Sequence, residues 1–236
     1  MDEPPLTSFS VTHISYDASD PIAYICAWLA LAPQILCVVY ATLIWSSREV
    51  EIFLMFAGQM SCEALNFLLK RMIKGERPPR IKSKGYGMPS SHAQFVAFFS
   101  VYLTLFLLFR HSPHPSDTHT PTTLAERLLL AAWSVVFAAT VCASRVYLQY
   151  HTVNQVLVGS LVGVFTAVAW FGVTTIARRS GWIQRALESR ALTMLRVRDL
   201  VVEEDLAESG WERWKNVSRR RKLDLRGQSS VKTKRR

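Results

Sequence analysis

The sequence predicts an all-α, polytopic membrane bundle of about five transmembrane helices with a short basic C-terminal tail, and three observations carry that prediction. Half of the 236 residues are hydrophobic and the mean hydropathy is positive, a composition that favours the membrane class. The apolar residues gather in five runs of about twenty, the length that crosses a hydrocarbon core about 30 Å thick. Charge is segregated as well: residues 178–236 hold 17 Lys or Arg against 8 Asp or Glu, most of the formal net charge of +10.

Residues 1–20 carry Asp2, Glu3, Asp17 and Asp20 and no Lys or Arg. No basic region precedes a short apolar stretch, so this segment does not read as a cleaved signal peptide, and the first span is expected to serve as its own signal. Spans are expected near 22–45, 51–70, 92–110, 128–145 and 152–177, with boundaries good to about two to four residues. The short linker Ser46 to Val50 makes the first two an antiparallel hairpin. Residues 71–91 form a loop rich in Lys, Arg, Pro and Gly. Residues 111–123 hold His111, His114 and His119 among Pro, Ser and Thr, a composition that favours a mobile linker over a metal site. Cys26, Cys37, Cys62 and Cys142 all fall inside spans, as small apolar residues do. Beyond the last span, Ile183, Leu187, Leu192, Leu195 and Leu200 recur among arginines, as in a helix lying on the bilayer surface. Residues 219–236 are expected to be disordered. The chain thus divides into an N-terminal segment 1–20, a membrane domain 21–178 and a basic tail 179–236.

Basic residues near helix ends stay in the cytosol, which places the tail there and residues 1–20 in the lumen. With five spans, the Lys70–His92 and Arg145–His151 segments then share the lumenal face. Seven basic residues between Lys70 and Lys84 oppose that rule; they are expected to serve an anionic substrate instead. The end Lys232-Thr233-Lys234-Arg235-Arg236 resembles a two-lysine retrieval signal, which implies an endoplasmic reticulum membrane and cytosolic retrieval machinery as a partner. Asn216-Val217-Ser218 fits a glycosylation acceptor, expected to stay unmodified in the cytosol. Nucleic acid is not an expected partner: the tail lacks an aromatic platform near its end and is tethered beside anionic headgroups.

Chemistry-bearing side chains cluster at the span ends. Gln59, Glu63, Asn66 and Lys70 follow one another at steps of four, three and four, one stripe of a helix. Gln59 and Asn66 suit interhelical hydrogen bonds, and Glu63 is placed to orient Lys70 or an arginine. Arg77, next to Pro78, adds a planar fork of donors suited to phosphate oxygens. Pro89-Ser90-Ser91-His92 stands at the start of the third span, where Ser90 and Ser91 and the free N–H groups of a helix end make a phosphate cradle beside His92. Ser144-Arg145 closes the fourth span and His151 opens the fifth, with Gln155 four residues further along the same face. A neutral imidazole is a nucleophile once a neighbour fixes its tautomer, and the Gln155 carbonyl can do that for His151.

The order Lys70-x6-Arg77-Pro78, Pro89-Ser90-Ser91-His92 and Ser144-Arg145-x5-His151 resembles the three-part signature of the type 2 phosphatidic acid phosphatase superfamily. More narrowly, residues 86–92 and 144–152 are similar to its dolichyl-diphosphatase branch. The likeness covers about residues 20–177, with two departures from the broader pattern: Ser91 stands where Gly is usual and Gln155 where Asp is usual. It implies a phosphatase acting on a polyprenyl diphosphate lipid, with His151 as nucleophile, His92 as acid and base, and Lys70, Arg77, Ser90, Ser91 and Arg145 holding phosphate. No metal or cofactor is implied. Two alternatives stay open at the sequence level: a broader lipid phosphatase acting on phosphatidate-like monoesters, and a lipid-phosphate binder or transporter without turnover.

Overall fold

The computed structural model describes residues 6–9, 14–79, 85–113 and 122–234, with side chains from 14 to 223 within those ranges. His114, His119, Arg235 and Arg236 lie outside the described residues, as do the side chains of Lys232 and Lys234. Five helices, Pro21–Ser47, Val50–Ile73, Ser91–Arg110, Leu124–Tyr147 and Val153–Arg179, are long and apolar enough to cross a membrane. Their outer faces expose large apolar side chains, among them Leu129, Trp133, Leu161 and Phe165, as helices solvated by lipid do.

Before the first span, β1 (Leu6–Phe9) and β2 (Ile14–Asp17) pair as a small antiparallel hairpin. Asp20 then caps α1 (Pro21–Leu29), its carboxylate accepting from the Ile22 amide at 2.8 Å, with Pro21 at the first helical position. The expected single first helix is in fact broken. α1 stops at Leu29 and α2 (Ala32–Ser47) begins three residues later, with Pro33 in its first turn. Pro33 has no N–H to continue the ladder of α1. Arg48 turns the chain with a left-handed backbone into α3 (Val50–Ile73).

α4 (Ser91–Leu105) is the centre of the bundle, buried at every position from Ala93 to Phe98. It finishes as a π-helical turn, Phe106–Arg110, that leaves Arg110 inside the protein. α5 (Leu124–Tyr147) and α6 (Val153–Arg179) both start with capping boxes, Thr123 with Glu126 and Thr152 with Gln155. α4 and α6 cross so closely that a Cβ on Gly159 would lie 2.6 Å from the Ser90 carbonyl oxygen, and one on Gly163 would lie 2.4 Å from that of Gln94. Small residues at such a crossing let backbones pack directly. Gln59 and Asn66 behave as expected, reaching from α3 to α4: Gln59 donates to the Phe95 carbonyl at 3.2 Å, and Asn66 to Gln94 Oε1 at 2.7 Å.

The tail departs from expectation. Instead of one surface helix over 182–202 there are two short ones, α7 (Trp182–Leu187) and α8 (Arg190–Met194), and then an extended strap across the end of the bundle. Glu49, fully buried, accepts from the Leu200 and Val201 amides at 2.7 and 3.0 Å and pairs with Arg198. Ser112 donates its amide to the Val202 carbonyl at 2.8 Å. Beneath the strap, Glu51 receives Arg110 at 2.5 Å, Arg178 at 2.6 Å and the Tyr102 hydroxyl at 2.9 Å, while Arg178 also pairs with Asp199. Asp205, held by Thr122, caps α9 (Leu206–Lys234). Residues 219–234, expected to be disordered, therefore continue a helix that starts from an anchored cap.

Candidate active site

At the opposite end from the strap, the three sequence clusters meet. Lys70, in the last turn of α3, donates to Ser91 Oγ at 3.3 Å. Ser90 is the N-cap of α4, yet its hydroxyl does not cap the helix; Oγ is buried with no hydrogen-bond partner among the described residues. Its amide donates instead to the Gln155 carbonyl at 3.1 Å, joining the start of α4 to the start of α6. A buried donor left unused costs about 1–3 kcal/mol, so the arrangement suits an anion brought by a ligand.

His92, the second residue of α4, places Nε2 3.0 Å from the Ala30 carbonyl. A carbonyl only accepts, so Nε2 carries a proton and exchange is left to Nδ1. That carbonyl is free because α1 ends there, one of the orphan acceptors of a helix C-terminus. The sequence reading missed this partner, and Pro33 was the signal that could have found it. His92 and Ser91 also line a cavity of about 510 Å³ shared with Glu63, Cys37, Met60 and Phe95. Glu63 lies on this wall, close enough to Lys70 for their charges to interact.

His151 sits between α5 and α6, 5% exposed, with Nδ1 3.1 Å from Gln155 Oε1. The Gln155 amide is itself pinned: Nε2 donates to the Glu76 carbonyl at 2.6 Å, and Oε1 also accepts from the Thr152 amide at 3.2 Å. The oxygen must therefore face His151, which favours the Nδ1–H tautomer and an unprotonated Nε2, while the Gly87 backbone also lies beside the ring. Burial holds this imidazole down at about 4, with Arg77 and Lys70 pushing the same way and the Gln155 hydrogen bond opposing them. It is neutral at physiological pH.

Arg77 stands in the loop after α3, its pKa lowered by burial, with Nε buried and without a partner among the described residues. It packs over Gly87, where a Cβ would lie 2.8 Å from Arg77 Cγ and 3.0 Å from Gln155 Nε2, so only glycine lets the loop close this tightly. Arg145, 2% exposed in the last turn of α5, donates to the Cys26 carbonyl at 3.1 Å and to Ser144 Oγ at 3.3 Å, and its guanidinium lies 5.6 Å from the centre of the Tyr150 ring. Tyr150 was not singled out in the sequence. Its hydroxyl accepts from the Ser15 amide at 2.8 Å, so the N-terminal hairpin is tied to the loop that carries His151. The nine candidate residues thus occupy one end of the bundle, with His92, His151, Lys70, Arg77 and Arg145 near enough for their charges to interact and Glu63 on the wall of the cavity that Ser91 and His92 line. The arrangement offers cations, free donors, one fixed neutral imidazole and a second imidazole with an exchangeable nitrogen.

Residues 51–179 match the PAP2 superfamily. A Neurospora crassa protein provisionally named dolichyldiphosphatase is 47% identical over 92% of this chain and 95% of its own length. Dolichyldiphosphatase 1 of Homo sapiens is 39% identical across 69% of each chain. A solved Bacillus subtilis chain, a transmembrane PAP2-type phosphatidylglycerolphosphate phosphatase, aligns with a TM-score of 0.49 at 24% identity, over 64% of this chain and 72% of that one. With the family matched over more than half its length, and a relative alike across nearly all of it, the protein belongs to the PAP2 superfamily, in the dolichyldiphosphatase branch.

Proposed function

We propose that the protein hydrolyses dolichyl diphosphate to dolichyl phosphate and inorganic phosphate through a phosphohistidine on His151. The observation that carries this reading is the pinned Gln155 amide, which leaves His151 Nε2 unprotonated and aimed away from its orienter. Lys70, Arg77, Arg145, Ser90 and Ser91 hold the terminal phosphate and offset charge as it develops. The Nε2 lone pair attacks the terminal phosphorus as the bond to the bridging oxygen breaks. His92 enters this step as the imidazolium, its second proton favoured by the bound substrate phosphates; it gives its Nδ1 proton to the departing lipid phosphate and keeps the Nε2 proton on the Ala30 carbonyl. Water then attacks the phosphohistidine, surrendering a proton to the same His92 nitrogen, and inorganic phosphate leaves. Glu63 orients the Lys70 side of the pocket.

The relatives' names support the choice of substrate, and the basic tail supports the orientation: site and residues 1–20 in the lumen of the endoplasmic reticulum, residues 179–236 in the cytosol with Lys232 and Lys234 open to retrieval machinery. In that setting residues 21–178 form the catalytic domain, and the product returns as the lipid carrier for protein N-glycosylation. The test is phosphate release by purified protein from dolichyl diphosphate and from phosphatidate, with acid-labile, base-stable phosphate trapped on His151. Wild type is expected to favour the diphosphate and to carry the label; His151→Ala is expected to lose both. Unlabelled protein with full turnover would remove the proposed nucleophile, and labelled protein preferring phosphatidate would change the substrate.

A further inference from the structure

Two cavities follow one another down the same three helices. The upper, of about 510 Å³, opens from His92 and runs past Cys37 of α2, Met60 of α3 and Phe95 of α4. The lower, of about 290 Å³, takes up the next turns of each: Tyr40 and Val39 on α2, Met55 on α3, Phe99 and Leu103 on α4. Its floor is Val201, from the strap that Glu49 holds in place. From Ser91 to Phe106 the track extends about 22 Å at 1.5 Å per residue, most of the thickness of a hydrocarbon core. On the wall of the lower cavity, Tyr40 packs its ring 5.3 Å from that of Phe56 and 6.4 Å from that of Phe99, and its buried hydroxyl has no partner among the described residues.

We infer that this α2–α3–α4 track is a single-file groove for the polyisoprenoid chain of the substrate, running from His92 to a stop at Val201. The inference rests on the dolichyl diphosphate reading and adds where the lipid lies. Geometry selects the occupant: the chain is bonded through the leaving phosphate, that phosphate takes its proton from His92, and the groove begins at His92. The chain therefore departs on this side of the phosphorus. The walls suit a methyl-branched chain, since the thioethers of Met55 and Met60 adapt to irregular shapes and Phe95 and Phe99 offer flat apolar faces. One wall and the floor come from α2 and Val201, outside the 51–179 stretch that matches the superfamily. The groove thus joins the family-matched core to elements that lie outside that match.

Two measurements on the full-length protein in lipid vesicles test it. A long-chain polyprenyl diphosphate bearing a photoreactive group several isoprene units from the phosphate should label Val39, Met55 or Leu103 of the wild type. Labelling confined to α5 or α6, or none above a photoreactive fatty acid control, overturns the groove. Separately, Val39→Trp should lower the ratio of kcat/KM for the long-chain polyprenyl diphosphate over farnesyl diphosphate by about tenfold, equivalent to about 1.4 kcal/mol. An unchanged ratio also overturns the groove while leaving the reaction intact. A wild type that turns over neither lipid overturns the reaction first, and the groove with it.

Discussion

At the scale of single residues, the proposed chemistry depends on which nitrogen of each histidine is free. Burial holds the His151 pKa near 4, so it is unprotonated and able to attack above that value, and kcat/KM is expected to rise with pH through it and to fall again at higher pH, where His92 no longer carries its Nδ1 proton. Gln155→Glu should move this acid limb up toward neutrality, because a carboxylate in place of the amide stabilises the imidazolium that has to be discharged. A pH profile whose acid limb stays in place in that variant would disconnect Gln155 from His151. His151→Ala should lower kcat by at least ~10⁴-fold, as loss of a covalent nucleophile does, with the circular dichroism of the bundle unchanged. Sequence reading reached these side chains because phosphate-suited types stand out at the ends of apolar runs. It did not reach the Ala30, Cys26 and Glu76 carbonyls, which orient His92, Arg145 and Gln155, and only for Ala30 did a nearby residue, Pro33, mark the helix end. Every residue has a carbonyl, and only a helix end or a loop in space decides which one is left over.

At the scale of helices, periodicity and length located the five spans to within a few residues, since about twenty apolar residues have one economical conformation in lipid. The break at Ala30 and Leu31 escaped notice because Pro33 lies so near a helix start that hydropathy alone runs straight through it. The α4–α6 crossing was also hidden: Gly159 and Gly163 read as ordinary apolar-run residues until the Ser90 and Gln94 carbonyls are set against them. Gly159→Ala should force the two helices apart, at a cost of about 1–3 kcal/mol. Because Ser90 sits at that contact, thermal melting and phosphate affinity should deteriorate together. Glu51 makes a sharper case. Glu51→Ala would strip a carboxylate from Arg110 and Arg178, and breaking a buried pair costs about 3–5 kcal/mol, so the melting temperature in detergent should fall steeply. Glu51→Gln, which keeps the shape, should lose less than Glu51→Ala.

At the scale of the whole molecule, the bundle has two polar ends with different partners: cations and free donors at one, mutually neutralised acids and arginines at the other. Under the proposed orientation Asn216 faces the cytosol, so it should remain unmodified in glycosylation-competent microsomes, while an acceptor site introduced before Pro21 should be filled. Endoglycosidase-sensitive mobility shifts read both outcomes, and sugar on Asn216 would invert the orientation. The positive balance of the tail was plain in the sequence; its folded form was not, because charge counting treats Glu49, Asp199 and Arg198 as surface when they are fasteners.

The strap also bears on how the protein is made. Glu49 and Glu51 leave the ribosome early, but the amides and guanidiniums that satisfy them belong to residues 110, 178 and 198–201. Glu51 gains its partners once Arg110 and Arg178 are made, but until synthesis passes Val201 the buried Glu49 carboxylate stands uncompensated. A premature stop that spares every span and every candidate catalytic side chain should therefore still yield a less stable molecule, with Glu49 buried and unpartnered.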